Sequence, residues 1–363
     1  MVKSVVIFGY VFLSTLVYGQ SVPFDIIIEP FQIDGLGGIQ SYAFGQHNNK
    51  WLMVGGRIDG LHRRQPFASF DIAGNNNQII VVDPIEKKHW STPINNLPIS
   101  ILEQLSSTNM QFYQEGDYLY CIGGYGFSPS INNHTTYPYL TAIKVSDVID
   151  AVISKKSFSS YFRQITDPIF QVTGGKLKKI NNDFYLLGGQ KFIGRYNPMG
   201  PNNGTGFIQE YTNAITKFAI MDNGEKISIK YINTYIDSTN LHRRDYNAKA
   251  QILPSGAEGI TMFSGVFQPN VDLPFLNSVT VDSSSYAVDK QFQQYYNHYH
   301  SAALPLYSKL KNEMHTIFFG GIAQYYDQQG VMVQDNNLPF VKTIARVTRD
   351  SNGNMSEHKL SVE

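Results

Sequence analysis

The feature that most constrains the fold is a short apolar run ending in paired glycines, repeated along the whole chain. It occurs at Trp51–Gly56, Tyr118–Gly124, Phe184–Gly189 and Thr316–Gly321, and a degenerate copy, Thr261–Gly265, ends in Ser264-Gly265. The copies are spaced by roughly 55 to 75 residues, at or above the period of repeat folds built from small sheets. Each sits in a common frame. Upstream lie an apolar strand and a polar turn, such as 39–45 and 47–50, or 110–113 and 114–117. Polar turns between short β runs read as hairpins. Downstream come a variable polar loop and a further strand, at 78–83, 140–145, 213–220, 276–281 and 341–347. A weaker fourth strand follows in places, as at His89-Trp90-Ser91 or 226–232. The expectation is an all-β chain of repeated four-stranded antiparallel meanders.

On these residues the chain resembles the kelch-repeat family, whose most visible mark is the Gly pair closing the second strand. Glycines there let the chain turn and let neighbouring backbones approach. The family also carries a Trp on the fourth strand; Trp90 fits in the first repeat, and the other repeats lack it. The resemblance implies a kelch-type β-propeller with five recognisable blades, six being possible. A sixth would have to lie within 146–171 or 286–298, which read as insertions, with Asp147–Lys155 a helical turn. The run Phe24–Ile33 reads as a strand bent at Pro30, and Glu357–Val362 as another. One of them is expected to pair into the blade begun by the other end, since an open ring leaves unpaired edges.

Residues 1–19 read as a signal peptide: Lys3, an apolar Val5–Val17 too short to span a bilayer comfortably, and the small Gly19 before the cut. No later stretch is apolar enough to cross a membrane. Residues 20–363 are therefore expected to be a single exported domain, secreted or periplasmic, without stable membrane insertion. The formal net charge is +0 with 16% charged residues, which argues against nucleic acid as partner. The single cysteine, Cys121, excludes an internal disulfide and a cysteine zinc cluster. No cofactor is expected.

Candidate ligand-binding residues come from strand entrances. Leu61-His62-Arg63-Arg64 and Leu241-His242-Arg243-Arg244 share a word, and Arg64 and Arg244 offer planar donors for an acidic sugar or other anion. They equally suit structural ion pairs or carbonyl caps. Arg244-Asp245-Tyr246 and Tyr299-His300-Ser301 each immediately precede the first strand of a repeat, where a propeller faces its channel mouth. Tyr299-His300 resembles the adjacent Tyr-His copper ligands of the galactose oxidase and glyoxal oxidase family, with Tyr246 near that family's cross-linked Tyr. That chemistry needs a second His and a Cys at the site. Here Cys121 lies inside a strand, and only His358 follows Gly321.

Fold alone does not assign function. The first reading is a propeller binding a glycan or an extracellular protein through Arg64, Arg244, Asp245, Tyr246, Tyr299 and His300. The second is a metal-independent epimerase, similar in signal peptide, length and architecture to the exported kelch-type sialic acid mutarotases. There the Arg pair would hold a carboxylate, and His300 or Asp245 would act as acid or base. A copper-dependent sugar oxidase is the third.

Overall fold

A computed structural model describes residues 24, 26–61, 63, 65, 67–197 and 206–360. The expected signal peptide, Arg64 and the last three residues lie outside these. The account below concerns the unit Gln32–Ser361.

Each repeat folds as an antiparallel four-stranded sheet made of consecutive chain. The first holds Ala43–His47, Lys50–Val54, Gln78–Asp83 and Lys88–Pro93. The second holds Gln111–Glu115, Tyr118–Ile122, Tyr139–Lys144 and Phe162–Thr166. The third holds Lys176–Ile180, Asp183–Leu187, Ala214–Asp222 and Ile227–Ile236. The fourth holds Asn247–Ile252, Glu258–Phe263, Ser278–Val281 and Tyr286–Asp289. The fifth holds Ala302–Ser308, Glu313–Ile322, Phe340–Arg349 and Met355–Leu360. Every Gly-pair run forms or closes the second strand of its sheet. That strand pairs on both sides, so Leu119, Ile260 and Ile317 are wholly buried.

The sheets stack face to face in chain order, because both faces of the inner strands are apolar. Leu52, Val81, Leu119 and Ile143 share one core with the helices Ile99–Leu105 and Val145–Ile153. Ile122, Phe170, Leu186 and Phe218 fill the next. Leu187, Ile215, Met262 and Val279 fill the third, and Phe263, Phe318 and Val347 the fourth. The outer face of the first sheet, with Met53, Ile80 and Val82, is covered by Ile33, Leu36 and Ile39.

Several expectations are corrected. The two stretches read as insertions each supply a fourth strand, Phe162–Thr166 and Tyr286–Asp289. These outer strands face solvent on one side and carry little apolar contrast. The end strand Met355–Leu360 pairs with Phe340–Arg349 of its own sheet, and residues 26–33 form no strand. No strand is exchanged between the first and last sheets among the described residues. The helical turn expected at Asp147–Lys155 is the helix Val145–Ile153.

The loops after the second and third Gly pairs hold further structure. The hairpins Tyr125–Ser128/Asn133–Thr136 and Gln190–Ile193/Ile208–Tyr211 join into a sixth four-stranded sheet. Among the described residues, no helix is long and apolar enough to cross a membrane.

Candidate functional site

One backbone device recurs at the head of all five sheets. Two residues before each first strand, the chain passes through positive φ: Ser41 (54°), Asn109 (55°), Gly174 (67°), Asp245 (58°) and His300 (54°). Asn, Asp, His and Gly are the residues that tolerate this region best. The residue before each makes a reciprocal pair of backbone hydrogen bonds with the residue after the Gly pair. The bridges are Gln40–Arg57, Thr108–Tyr125, Thr173–Gln190, Arg244–Val266 and Tyr299–Ile322.

The bridges explain the glycines. The second glycine lies under the crossing chain, so a Cβ at Gly56 would sit 2.4 Å from the Gln40 carbonyl oxygen, and one at Gly265 2.6 Å from Tyr246 Cβ. In the degenerate copy Ser264 adopts φ 52°, and its hydroxyl donates to the Phe275 carbonyl at 2.6 Å.

All fifteen residues of these five rim positions line one cavity of about 550 Å³. An aromatic wall adds Phe70, Phe192 and Tyr196. Tyr125 stands edge-on to Phe70 and Phe192, with centroids 5.2 and 5.3 Å apart, and its hydroxyl donates to the Gly194 carbonyl at 2.7 Å. The wall is therefore braced rather than loose. Phe267, Phe340, Leu61, Leu338 and Pro339 add to the apolar lining.

Apart from Arg57, the Arg, Asp and His side chains of the lining sit at the heads of the fourth and fifth sheets. Arg244 donates from Nη1 to Asp245 Oδ2 at 2.5 Å and from Nε to the Tyr211 hydroxyl at 3.1 Å, with its guanidinium 5.3 Å from the Phe267 centroid. Burial works to raise the Asp245 carboxyl, but the charges of Arg244, His300 and Lys176 overcome it and hold it below the usual range. His300 opens onto the cavity yet stands deep among protein atoms. That burial pushes its imidazole down despite the attraction of Asp245, so it is neutral at pH 7. Burial, then Asp245, pushes the Tyr299 phenol up to about 12. The site thus holds an ionised carboxylate, a neutral imidazole and a guanidinium close together.

Of the residues singled out in the sequence, Arg244, Asp245, Tyr299 and His300 line the cavity. Tyr246 does not. Its side chain is wholly buried between the third and fourth sheets, and its hydroxyl donates to the Leu187 carbonyl at 2.5 Å. The chain turns through positive φ at Asp245, and the next side chain, Tyr246, enters the core of the third and fourth sheets instead of the cavity. Arg243 is likewise structural, donating to the carbonyls of Asn240, Ser264 and Asn277.

Arg57 and Gln190 were missed. They follow the Gly pair, a signal present in every repeat, but share no residue type. Arg57 is 2% exposed and spent on Asp59, Asn75 and the Asp71 carbonyl, so it shapes the rim rather than reaching a ligand.

The copper reading does not fit these residues. Cys121 is buried in the core of the first and second sheets. Tyr246 is sequestered, and His298 is held by the Gln294 carbonyl and the Gln324 N–H. No group of three or more His, Cys, Asp or Glu side chains suited to a metal occurs among the described residues.

No protein-family model matches this chain. No curated protein matches it either.

Proposed function

We propose that the chain is an exported kelch-type propeller of five blades that binds a small glycan in the rim cavity. The observation that carries this reading is the convergence of five equivalent rim positions and an aromatic wall on one concave space. Its volume of about 550 Å³ lies in the range of small-ligand sites. Stacked rings suit sugar faces, while Gln40, Asn109 and Gln190 supply amides for hydroxyls. A concave site of this size favours a glycan over a flat protein partner. The five-blade closure is supported by the cavity drawing on both the first and the fifth sheets, through Gln40 and Ile322.

The test is a thermal-shift screen with neutral and acidic monosaccharides. A ligand specific to the folded state adds about 2.7 kcal/mol at a hundredfold excess over Kd. A shift lost in Tyr299→Ala and in Gln190→Ala supports the reading. A flat response across the panel overturns it.

The neutral His300 near ionised Asp245 favours a second reading, the metal-independent mutarotase, since the imidazole can take the proton of the anomeric hydroxyl and, as an imidazolium stabilised by Asp245, give it to the ring oxygen. Accelerated anomer exchange by NMR, lost in His300→Ala, separates it from a binder.

A further inference from the structure

The sequence marks Arg244 as a seat for an anion, but in the structure its guanidinium is already engaged. Asp245 accepts from its Nη1 at 2.5 Å, and the Tyr211 hydroxyl from its Nε at 3.1 Å. Tyr211 also receives the Phe267 N–H at 3.4 Å, so the ion pair is braced from the sixth sheet. The other guanidinium of the lining, Arg57, meets Asp59 through two parallel bonds, Nε to Oδ1 at 2.8 Å and Nη2 to Oδ2 at 2.5 Å. Its further bonds go to Asn75 and the Asp71 carbonyl. No lysine lines the cavity among the described residues. Each guanidinium of the lining therefore has a carboxylate before any ligand arrives.

The side chains left open are of another kind. Asn109, Tyr299 and His300 line the cavity, and among the described residues no hydrogen bond engages their side-chain polar atoms. Asn109 and Tyr299 are half-buried and His300 is exposed, so these atoms face the open space rather than the core. The Gln190 amide takes a bond from Gln209 Nε2 at 2.6 Å, and its own NH2 is uncommitted among the described residues. The carboxylate oxygen that Arg244 leaves over, Asp245 Oδ1, lies beside Gly174, 3.0 Å from where a Cβ there would stand. Glycine at this third rim position thus leaves a gap between Asn109 and Asp245. Amides, a phenol and an imidazole can donate and accept hydrogen bonds, as hydroxyls do, and a carboxylate oxygen accepts from them. An acidic ligand would meet cations already paired, and Asp245 Oδ1 would repel it. A charge taken from water without a partner is unfavourable.

We propose that the cavity selects an uncharged polyol, a neutral sugar, and discriminates against the corresponding sugar acid, because the Arg244–Asp245 and Arg57–Asp59 pairs hold its cations. This names the ligand class of the glycan reading and rests on that reading. Asp245 has two parts in it: its open oxygen accepts a ligand hydroxyl, and its other oxygen masks Arg244.

Isothermal titration calorimetry of the full chain at pH 7 tests this with matched pairs: glucose against glucuronate, galactose against galacturonate and mannose against mannuronate. In every pair that binds, we expect the neutral member to have a Kd at least tenfold lower. Asp245→Asn keeps the side-chain size and accepts the positive φ of residue 245, but removes the counter-charge of Arg244. The sugar acid should then bind at least tenfold more tightly than it does to the wild type, and the gain should fade as salt is raised. Equal or tighter binding of the acid by the wild type overturns the selectivity and leaves the glycan reading standing. Acid binding unchanged in Asp245→Asn overturns the ion pair as its cause, and the proposal with it. Should that variant fail to fold, the wild-type pairs decide alone. No binding by any member of the panel overturns the glycan reading and this inference together.

Discussion

Replacing Arg244 with methionine tests whether the charged half of the rim is held together as described. The side chains of Arg244 and Asp245 are 15% and 11% exposed, joined by a 2.5 Å bond, with a second bond from Arg244 to Tyr211. Removing one partner of a buried pair typically costs about 3–5 kcal/mol, because the other is left buried and uncompensated. Asp245 keeps the field of Lys176, and methionine keeps much of the apolar stem. The lower end, about 3 kcal/mol, is therefore expected. At roughly 2 °C per kcal/mol for a chain of this size, the melting temperature falls by roughly 6 °C. In the wild type the Asp245 carboxyl is depressed, so its contribution is present above the unfolded carboxylate range and is lost as pH falls through its folded value. In Arg244→Met burial dominates, the carboxyl titrates above its usual range, and protonation relieves it. The gap between wild type and variant should thus be largest at pH 7 and narrow toward pH 4.5. Arg244→Met/Asp245→Asn removes both charges and should recover stability to within about 1 kcal/mol of wild type. Asn accepts the positive φ of residue 245. Urea denaturation at pH 7 and 4.5 measures all of this. A loss under about 1 kcal/mol, a gap independent of pH, or no recovery in the double variant would refute the reasoning.

Three further substitutions probe the first strand of the third sheet and the glycine crossings. Lys178 has a depressed folded value of about 8, so its destabilising effect is present below pH 8 and fades as pH rises toward the unfolded value near 10.4. Lys178→Met should therefore be more stable than wild type by roughly 3 kcal/mol at pH 7 in anion-free buffer and by under about 1 kcal/mol at pH 10, read from denaturation midpoints at both pH values. Gly56→Ala should cost about 3 kcal/mol, since its φ is +86° and the new Cβ would meet the Gln40 carbonyl oxygen at 2.4 Å. Gly116→Ala, with φ +56° and nothing within 4 Å, should cost only about 1–2 kcal/mol, the left-handed penalty alone. Equal losses would show that the crossing is not what demands the glycine.

The repeating sheets were legible because their central strands are buried on both sides. Runs such as Tyr118–Ile122 and Phe184–Leu187 are continuous apolar segments, and the glycines that follow are forced by backbone contact. Phe162–Thr166 and Tyr286–Asp289 were not, because an outer strand half-exposed to water needs no strict apolar pattern. The site was legible on one side only. Arg244, Asp245, Tyr299 and His300 stand out as polar residues at strand entrances. Ser41, Asn109 and Gly174 occupy the same backbone positions, but only their dihedral angles reveal it. Tyr246 was misjudged because proximity in sequence to a rim residue says nothing of which way a side chain faces.

The rim is built unequally, and the inequality bears on what it can do. The Asn109 N–H bonds the Ser41 carbonyl, Gly174 bonds Asn109, and Asp245 bonds Gly174, so the first four rim positions are stitched into one backbone arc. The fourth and fifth entrances are joined by the bridge between Tyr246 and Tyr299, whereas among the described residues no backbone bond joins His300 to Ser41. The stitched arc carries neutral groups at Gln40, Ser41, Thr108, Asn109 and Thr173, whereas the Arg244–Asp245 ion pair and the neutral imidazole of His300 gather where it ends. Gly174 makes the junction possible, since a Cβ there would stand 3.0 Å from Asp245 Oδ1, tighter than ordinary packing allows. A rigid neutral arc suits hydroxyl recognition, which needs fixed donors and acceptors. The arc is open between His300 and Ser41, so a small backbone shift at His300 breaks no bond to the first rim position. A ligand that gains affinity from the charged side should therefore loosen or tighten the fifth sheet's entrance at Tyr299-His300 while leaving 40–41, 108–109 and 173–174 unmoved. Amide exchange at those positions, with and without bound sugar, reads that difference directly.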